Sequence, residues 1–237
     1  VMQREIEMLS KEFEKTFLMQ TAPPPKSDQE QQKLKEEKSG GQTKEKEQTG
    51  KQGQEQSSQK KPEPDWAKLE KSITDIHDHW NRFQTEALEK GISTRQVEDF
   101  SNKLNELTMT LTQKELYPGL LAANDLYEKT ASFEKLYEPK VSPDFKKIIY
   151  FIRKAAYQSL QKEQSPAKMA VQDAQDLWDK SRPKVKDREM ASRAEFAIKE
   201  LHQAIKEQDP NLIKIKYQIA ENSLQDVMKS IEKEKQK

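Results

Sequence analysis

Three histidines, at positions 77, 79 and 202, are the side chains best suited to chemistry in this chain of 237 residues. If residues 66–90 form a helix, Asp75 and His79 lie one turn apart on the same face, a spacing that suits two metal ligands. Glu86 follows two turns later on nearly that face. A metal- or haem-binding helical bundle that uses Asp75 and His79 is therefore one functional hypothesis.

The remaining histidines argue against such a site. His77 and His79 are two residues apart and cannot converge from a single helix. His202 lies beside an apolar stripe and has no Glu-x-x-His partner. A closed metal site generally needs four ligands, so we expect no metal centre and no cofactor.

The usual signatures of catalysis are missing from the sequence. Cysteine is absent, which excludes thiol catalysis, disulfides and thiolate metal sites. There is no dinucleotide-binding or phosphate-binding glycine motif, no Gly-x-Ser-x-Gly and no His-Glu-x-x-His. Only Gly91 and Gly119 remain for the part of the chain that can fold. We therefore predict that the protein is not an enzyme.

Composition limits the partners of the chain. The 42 basic and 41 acidic side chains nearly cancel, and the mean hydropathy is −1.10, so we expect no nucleic acid partner. No apolar run approaches the roughly 20 residues that span a bilayer. The chain begins with Val1 rather than Met, which leaves room for a preceding signal peptide or lipid anchor. We expect a protein partner, and contact with a membrane only through such an anchor.

The segment 21–64 differs sharply from the rest of the chain. Ala22 and Leu34 are its only hydrophobic residues, and Lys, Glu, Gln and Pro dominate it. A segment that cannot bury apolar area does not offset its ordering entropy, so we predict a disordered linker. An inert insertion is the alternative interpretation.

The linker follows a short amphipathic helix predicted over residues 1–20. Ile6, Leu9, Phe13 and Phe17 recur at spacings of three and four and therefore share one face. A helix of this length is marginal in water on its own. We expect it to dock on the body of the protein, on a second copy, or on a partner near a membrane.

Residues 65–237 read as seven helices separated by prolines and capping residues. Asp65 and Asp187 are predicted N-caps, and Ser93 to Gln96 is a capping box. We place further helix starts at Pro118, at Ser142-Pro143 and at Ser165-Pro166. The predicted fold class is all-α, an antiparallel up-and-down bundle, with the very apolar helix near 144–160 at its centre.

An Asp-x-x-Asp-x-Trp motif occurs twice, ending at Trp80 and at Trp178, 98 positions apart. Phe100 and Phe196 follow the two copies at a spacing of 96. Matches at nearly constant offset indicate a diverged internal repeat. We predict three-helix repeats over 66–137 and 166–231 around the central helix, with the two tryptophans and Phe100 and Phe196 as buried structural anchors.

These features together favour a non-enzymatic helical-bundle binding or scaffolding protein that the linker presents from an anchor. The composition is typical of an extracytoplasmic bacterial protein, so we expect an extracytoplasmic location. The metal- or haem-binding bundle is the first alternative, and a cytosolic adaptor protein is the second.

The linker prediction has a direct test. Brief proteolysis of the native protein should cut between Thr21 and Pro64 and leave a resistant fragment that begins near Asp65, because the linker has no core to protect it. Mass spectrometry of the fragments reports the cut sites. A linker that resists the protease would contradict the prediction.

Overall fold

The computed structural model describes residues 2–21, 62–137 and 139–234. These residues form eight α-helices and two short 3₁₀ helices, at Lys135–Tyr137 and Arg182–Lys184, and no strand, which confirms the all-α prediction. Residues 22–61 of the predicted linker, which spans 21–64, lie outside the described residues. The helices are α1 Met2–Gln20, α2 Trp66–Glu89, α3 Thr94–Thr112, α4 Leu116–Glu134, α5 Asp144–Leu160, α6 Gln164–Ser181, α7 Arg188–Glu207 and α8 Pro210–Glu234.

Capping residues set several of these boundaries. Asp65 and Asp187 each accept a hydrogen bond from the backbone N–H three residues later, as N-caps do. Ser93 and Gln96 form the predicted capping box, in which each side chain bonds the other residue's backbone N–H. Gly91 ends α2 with φ +95°, a left-handed conformation that favours glycine.

Three predicted helix starts differ from the structure by one or two residues. Helix α4 begins at Leu116 rather than Pro118, and α6 begins at Gln164 rather than at Pro166. Proline is tolerated there because the first four N–H groups of a helix have no partner within the helix. Ser142 does not cap the backbone of α5; its hydroxyl donates to the Asp144 carboxylate at 2.9 Å.

The helices are arranged as two groups of four. In the first group α1 packs against α2 and α4, and α3 packs against the same two helices. In the second group α5 and α7 both pack against α6 and α8. Helices α4 and α5 join the groups, which we call the first and second halves. The helices thus group as four and four, whereas the sequence predicted three, one and three; a duplication behind this pattern stays a prediction.

Helix α1 is part of the core of the first half. Its predicted apolar face, Ile6, Leu9, Phe13 and Phe17, is at most 2% exposed. A Cβ on Gly119 of α4 would lie only 2.7 Å from the Phe13 ring, so the close contact of α1 with α4 requires glycine there. Of the three docking places considered, α1 uses the body of its own chain. It holds in the first half the place that α5 holds in the second.

The two ends of the predicted linker lie together. The Gln20 side-chain amide at the end of α1 donates a hydrogen bond of 2.7 Å to the carbonyl of Pro62, just before α2. The residues between them therefore do not separate α1 from the rest of the protein. A role for the linker as a spacer between α1 and the folded body does not follow from this geometry.

The four predicted anchors behave differently. Trp80 packs on Phe100 with ring centroids 4.1 Å apart, and Trp178, 1% exposed, packs on Phe145 of α5. Phe196 is 64% exposed, so its prediction as a buried anchor was wrong. The buried stripe of α7 includes Ala194 and Ile198, and a residue two positions from each points roughly 200° away from both.

Because Trp178 is buried and Phe196 is exposed, replacing each with alanine should change the free energy of unfolding by different amounts. Trp178→Ala should lower the free energy of unfolding by about 3 to 5 kcal/mol, because it leaves a cavity in the core. Phe196→Ala, the matched control, should change it by about 0.5 kcal/mol or less. Urea denaturation measures both. Equal costs for the two variants would contradict the assigned burial.

Candidate functional site

The residues predicted as metal ligands do not come together. Asp75 is exposed, and His79 faces Glu5 of α1. His77 bonds the Thr108 hydroxyl at 2.8 Å, and His202 bonds Gln175 at 3.0 Å. Within residues 2–21, 62–137 and 139–234, no three His, Asp or Glu side chains are placed to hold a metal ion. The Asp75–His79 site therefore has no support in the geometry.

His79 instead forms a close pair with Glu5. Its Nδ1 lies 2.8 Å from a carboxylate oxygen of Glu5, and both atoms are shielded from solvent. The contact is not aligned as a hydrogen bond, and neither atom has another partner within the described residues. The pair is a contact between α1 and α2 beside the imidazole.

A cavity of about 310 Å³ opens beside this pair, between α1, α2 and α4. Its walls are mainly apolar and aromatic, with a few polar groups among them. A small, mostly apolar pocket with few polar groups is the usual form of a ligand site. The lining residues are Met2, Gln3, His79, Phe83, Thr130, Phe133, Glu134 and Tyr137.

Aromatic rings pack against one another in the cavity wall and behind it. Phe83 and Phe133 meet edge to face at 5.7 Å, a favourable arrangement for aromatic pairs. Phe133 also packs against Trp80 at 5.4 Å and Phe100 at 5.3 Å. The cavity thus borders a cluster of four aromatic rings, Trp80, Phe83, Phe100 and Phe133.

Tyr137 forms the rim of the cavity, and charged residues at the end of α2 hold it. Its hydroxyl donates to Glu86 at 2.9 Å, and the Lys90 ammonium lies 4.0 Å from the ring centroid. Lys90 also pairs with Glu86 at 2.8 Å. The hydrogen bonds to Lys90 and Tyr137 lower the pKa of the Glu86 carboxyl, which keeps it ionised as an acceptor. Half of Tyr137 stays exposed, so an aromatic surface borders the cavity mouth.

Some polar groups of the cavity have a hydrogen-bond partner within the described residues, and others have none. Thr130 donates its hydroxyl hydrogen to the carbonyl of Tyr127, and Glu134 pairs with Lys146. His79 Nε2 and the Gln3 amide make no hydrogen bond within the described part of the chain. These two groups can therefore bind a ligand, as can the second carboxylate oxygen of Glu134, which makes no hydrogen bond within the described residues.

The histidines are not arranged for nucleophilic catalysis. The Thr108 hydroxyl donates to the carbonyl of Leu104 at 2.8 Å, so it accepts from His77 rather than giving up its proton to it. Burial lowers the pKa of His77, which keeps the ring neutral. No hydroxyl among the described residues bonds His79. A nucleophile-and-base pair is thus not formed by either histidine.

A buried ionic network connects the two halves. Arg153 of α5 is completely buried and pairs with Glu221 of α8 at 2.6 Å. Lys11 of α1 reaches the same carboxylate at 2.8 Å, and Tyr157 of α5 donates to Glu14 of α1 at 2.9 Å. Side chains of the first and second halves thus meet in one cluster.

The ionisation of this network follows from burial and charge. Burial opposes the charge of Glu221, but Arg153 and Lys11 outweigh it and lower the pKa of that carboxyl to about 2. Burial raises the pKa of the hydroxyls of Tyr157 and Tyr217 well above the ordinary range. Both tyrosines therefore remain hydrogen-bond donors, Tyr157 to Glu14 and Tyr217 to the ionised Glu221.

No protein-family model matches this chain, and neither does any curated protein or solved structure. None of the helices in the described residues has the length and apolar character needed to cross a membrane. The fold and the cavity define an all-helical protein built from two four-helix halves.

The sequence pointed only in part to His79 and Arg153. His79 was recognised as unusual, but its partner Glu5 lies 74 positions away on a helix beyond the linker, so no local spacing indicates the pair. Arg153 reads in the sequence as one of several cations of an apolar helix whose charged ends reach water. It is instead fully buried, because Glu221 and Lys11 approach it from other helices.

The ionic network predicts a pH-dependent cost for removing Arg153. Arg153→Met should lower the free energy of unfolding by about 3 to 5 kcal/mol at pH 7, because Glu221 loses its fully buried cationic partner and keeps only the partly exposed Lys11. The folded pKa of Glu221 lies below its ordinary value of 4.5, so this stabilisation is complete above 4.5 and lost as the pH falls toward 2.

Denaturation at pH 7 and at pH 3 measures the difference between wild type and Arg153→Met, which should shrink at the lower pH. Arg193→Met removes an exposed arginine of α7 and serves as the control, with an expected change of about 0.5 kcal/mol or less. A gap between wild type and Arg153→Met that stays constant with pH would contradict the assignment.

Proposed function

We propose that this protein is a non-enzymatic helical binding protein, and that it binds a protein partner by taking one apolar side chain of that partner into the cavity between α1, α2 and α4. The observation that carries the proposal is the cavity itself, about 310 Å³ with Phe83, Phe133 and Tyr137 in its walls. Anchor side chains buried in such pockets supply most of the binding energy in many protein complexes.

The size of the cavity favours a side chain over a whole metabolite. Pockets for drug-sized molecules run from about 300 to 1,000 Å³, so this cavity lies at the lower limit. One aromatic or long aliphatic side chain fits within it. The half-exposed Tyr137 at the rim adds an aromatic contact for the surface around the anchor, as tyrosines often do at interfaces.

The alternatives receive less support. Within the described ranges Asp75 faces solvent and His79 faces Glu5, so we propose no metal or haem site. A cytosolic adaptor and an extracytoplasmic binding protein would both use the same cavity, so the proposal does not depend on the compartment. It also does not depend on presentation by the linker, whose two ends lie together at Gln20 and Pro62.

Binding of p-xylene, a minimal apolar ring, tests the proposal. We expect wild-type protein titrated with p-xylene to show NMR shifts at Phe83, Phe133 and Tyr137. Gln3→Trp places a large ring at the cavity wall and should weaken binding about tenfold or more, because the probe can no longer bury its surface.

Arg4→Trp is the matched control, since Arg4 is the next residue of α1 and is exposed. It should leave the affinity for p-xylene unchanged within about twofold. Absence of binding to the wild type, or equal binding to the Gln3→Trp and Arg4→Trp variants, would contradict the assignment of the cavity as the binding site.

A further inference from the structure

One ring nitrogen in the cavity wall has no partner. His79 lines the cavity, its Nδ1 faces Glu5, and its Nε2 makes no hydrogen bond within the described part of the chain. Leaving a polar atom without a partner when a ligand covers it costs free energy comparable to a hydrogen bond. A ligand that fills the cavity is therefore selected by what it offers to Nε2.

Glu5 determines whether His79 Nε2 acts as a hydrogen-bond donor or as an acceptor. A lone pair on Nδ1 would be repelled by a carboxylate oxygen only 2.8 Å away, so in the neutral imidazole the proton lies on Nδ1. The other nitrogen, Nε2, then carries a lone pair and accepts hydrogen bonds. The cavity thus presents an acceptor, and the matching ligand group is a donor.

The residues of the cavity wall indicate which kind of chemical group bears that hydrogen-bond donor. Phe83 and Phe133 meet nearly perpendicular to each other, at 87°, and another ring can extend such an edge-to-face cluster. Gln3 adds an amide that also has no partner in the described residues, and its N–H groups need an acceptor. A phenol hydroxyl both donates and accepts, whereas an indole N–H donates only.

We propose that the side chain bound in the cavity is a tyrosine of the protein partner, whose hydroxyl donates to His79 Nε2 and accepts from the Gln3 amide. This inference rests on the proposed function, since it names the group that the cavity takes. It assigns to His79 the recognition of a hydroxyl, and to Glu5 the placement of the proton that makes His79 an acceptor.

Two probes of the same shape test the inference. The probe p-cresol is the tyrosine side chain itself, and p-xylene has a methyl group in place of the hydroxyl. Both are titrated by NMR at pH 8, where the phenol is still protonated. His79→Phe should weaken p-cresol about three- to tenfold more than it changes p-xylene, because only p-cresol loses a hydrogen bond.

His77→Phe is the matched control, because His77 lies on the same helix, outside the cavity wall, and bonds Thr108. It should change neither affinity. If His79→Phe does not fold, as judged by circular dichroism, His79→Leu removes the same acceptor and carries the same expectation.

Each of the other outcomes contradicts a specific part of the inference or of the proposed function. If His79→Phe weakens both probes equally or neither, His79 does not recognise the hydroxyl, although the cavity still binds. If neither probe binds the wild type, the proposed function fails as well. If p-cresol binds but N-acetyltyrosinamide does not, the ligand is a free phenol rather than a side chain of a protein.

Discussion

The docking of α1 on α2 and α4 is the interaction on which the rest of the structure depends. Four apolar side chains of α1 fill the core of the first half, and Gly119 lets its backbone come close to α4. The flanks and the outer side of the same helix carry Glu5, which lies beside His79, and Lys11 and Glu14, which reach the second half. Without α1 neither the cavity nor the ionic connection between the halves would exist.

The buried charges where the two halves meet contribute more to selecting one arrangement of the helices than to the net stability of the fold. Burying Arg153 and Glu221 carries a desolvation cost that their attraction largely offsets, so such a pair adds little net stability. Moving α1, however, would take Lys11 away from the buried Glu221 carboxylate and Glu14 away from the Tyr157 hydroxyl, and this penalises other arrangements of the halves. The network therefore favours one register of α1 against α5 and α8, and the position of Gln3 and His79 at the cavity follows from that register.

Sequence periodicity predicted the helices well, because apolar stripes and caps are local features. The apolar stripe of α1 and the capping box at Ser93 both appear as expected. Matching by residue type failed at Phe196, where position on the helix, rather than hydrophobicity, decides burial. The pairs Glu5–His79 and Arg153–Glu221 join residues far apart in the chain, and only packing brings them together. The candidate site was therefore visible in the sequence only as an unexplained His79.

Native-state hydrogen exchange tests the central claim most directly, since it measures the opening free energy of each helix. If α1 is a core element, the amides around Leu9 and Phe13 should exchange with the same opening free energy as those around Ala123 in α4, close to that of global unfolding. If α1 exchanges near the rate of an unfolded peptide while α2 to α8 remain protected, α1 is not docked in solution. The cavity and the connection between the halves would then be lost with it.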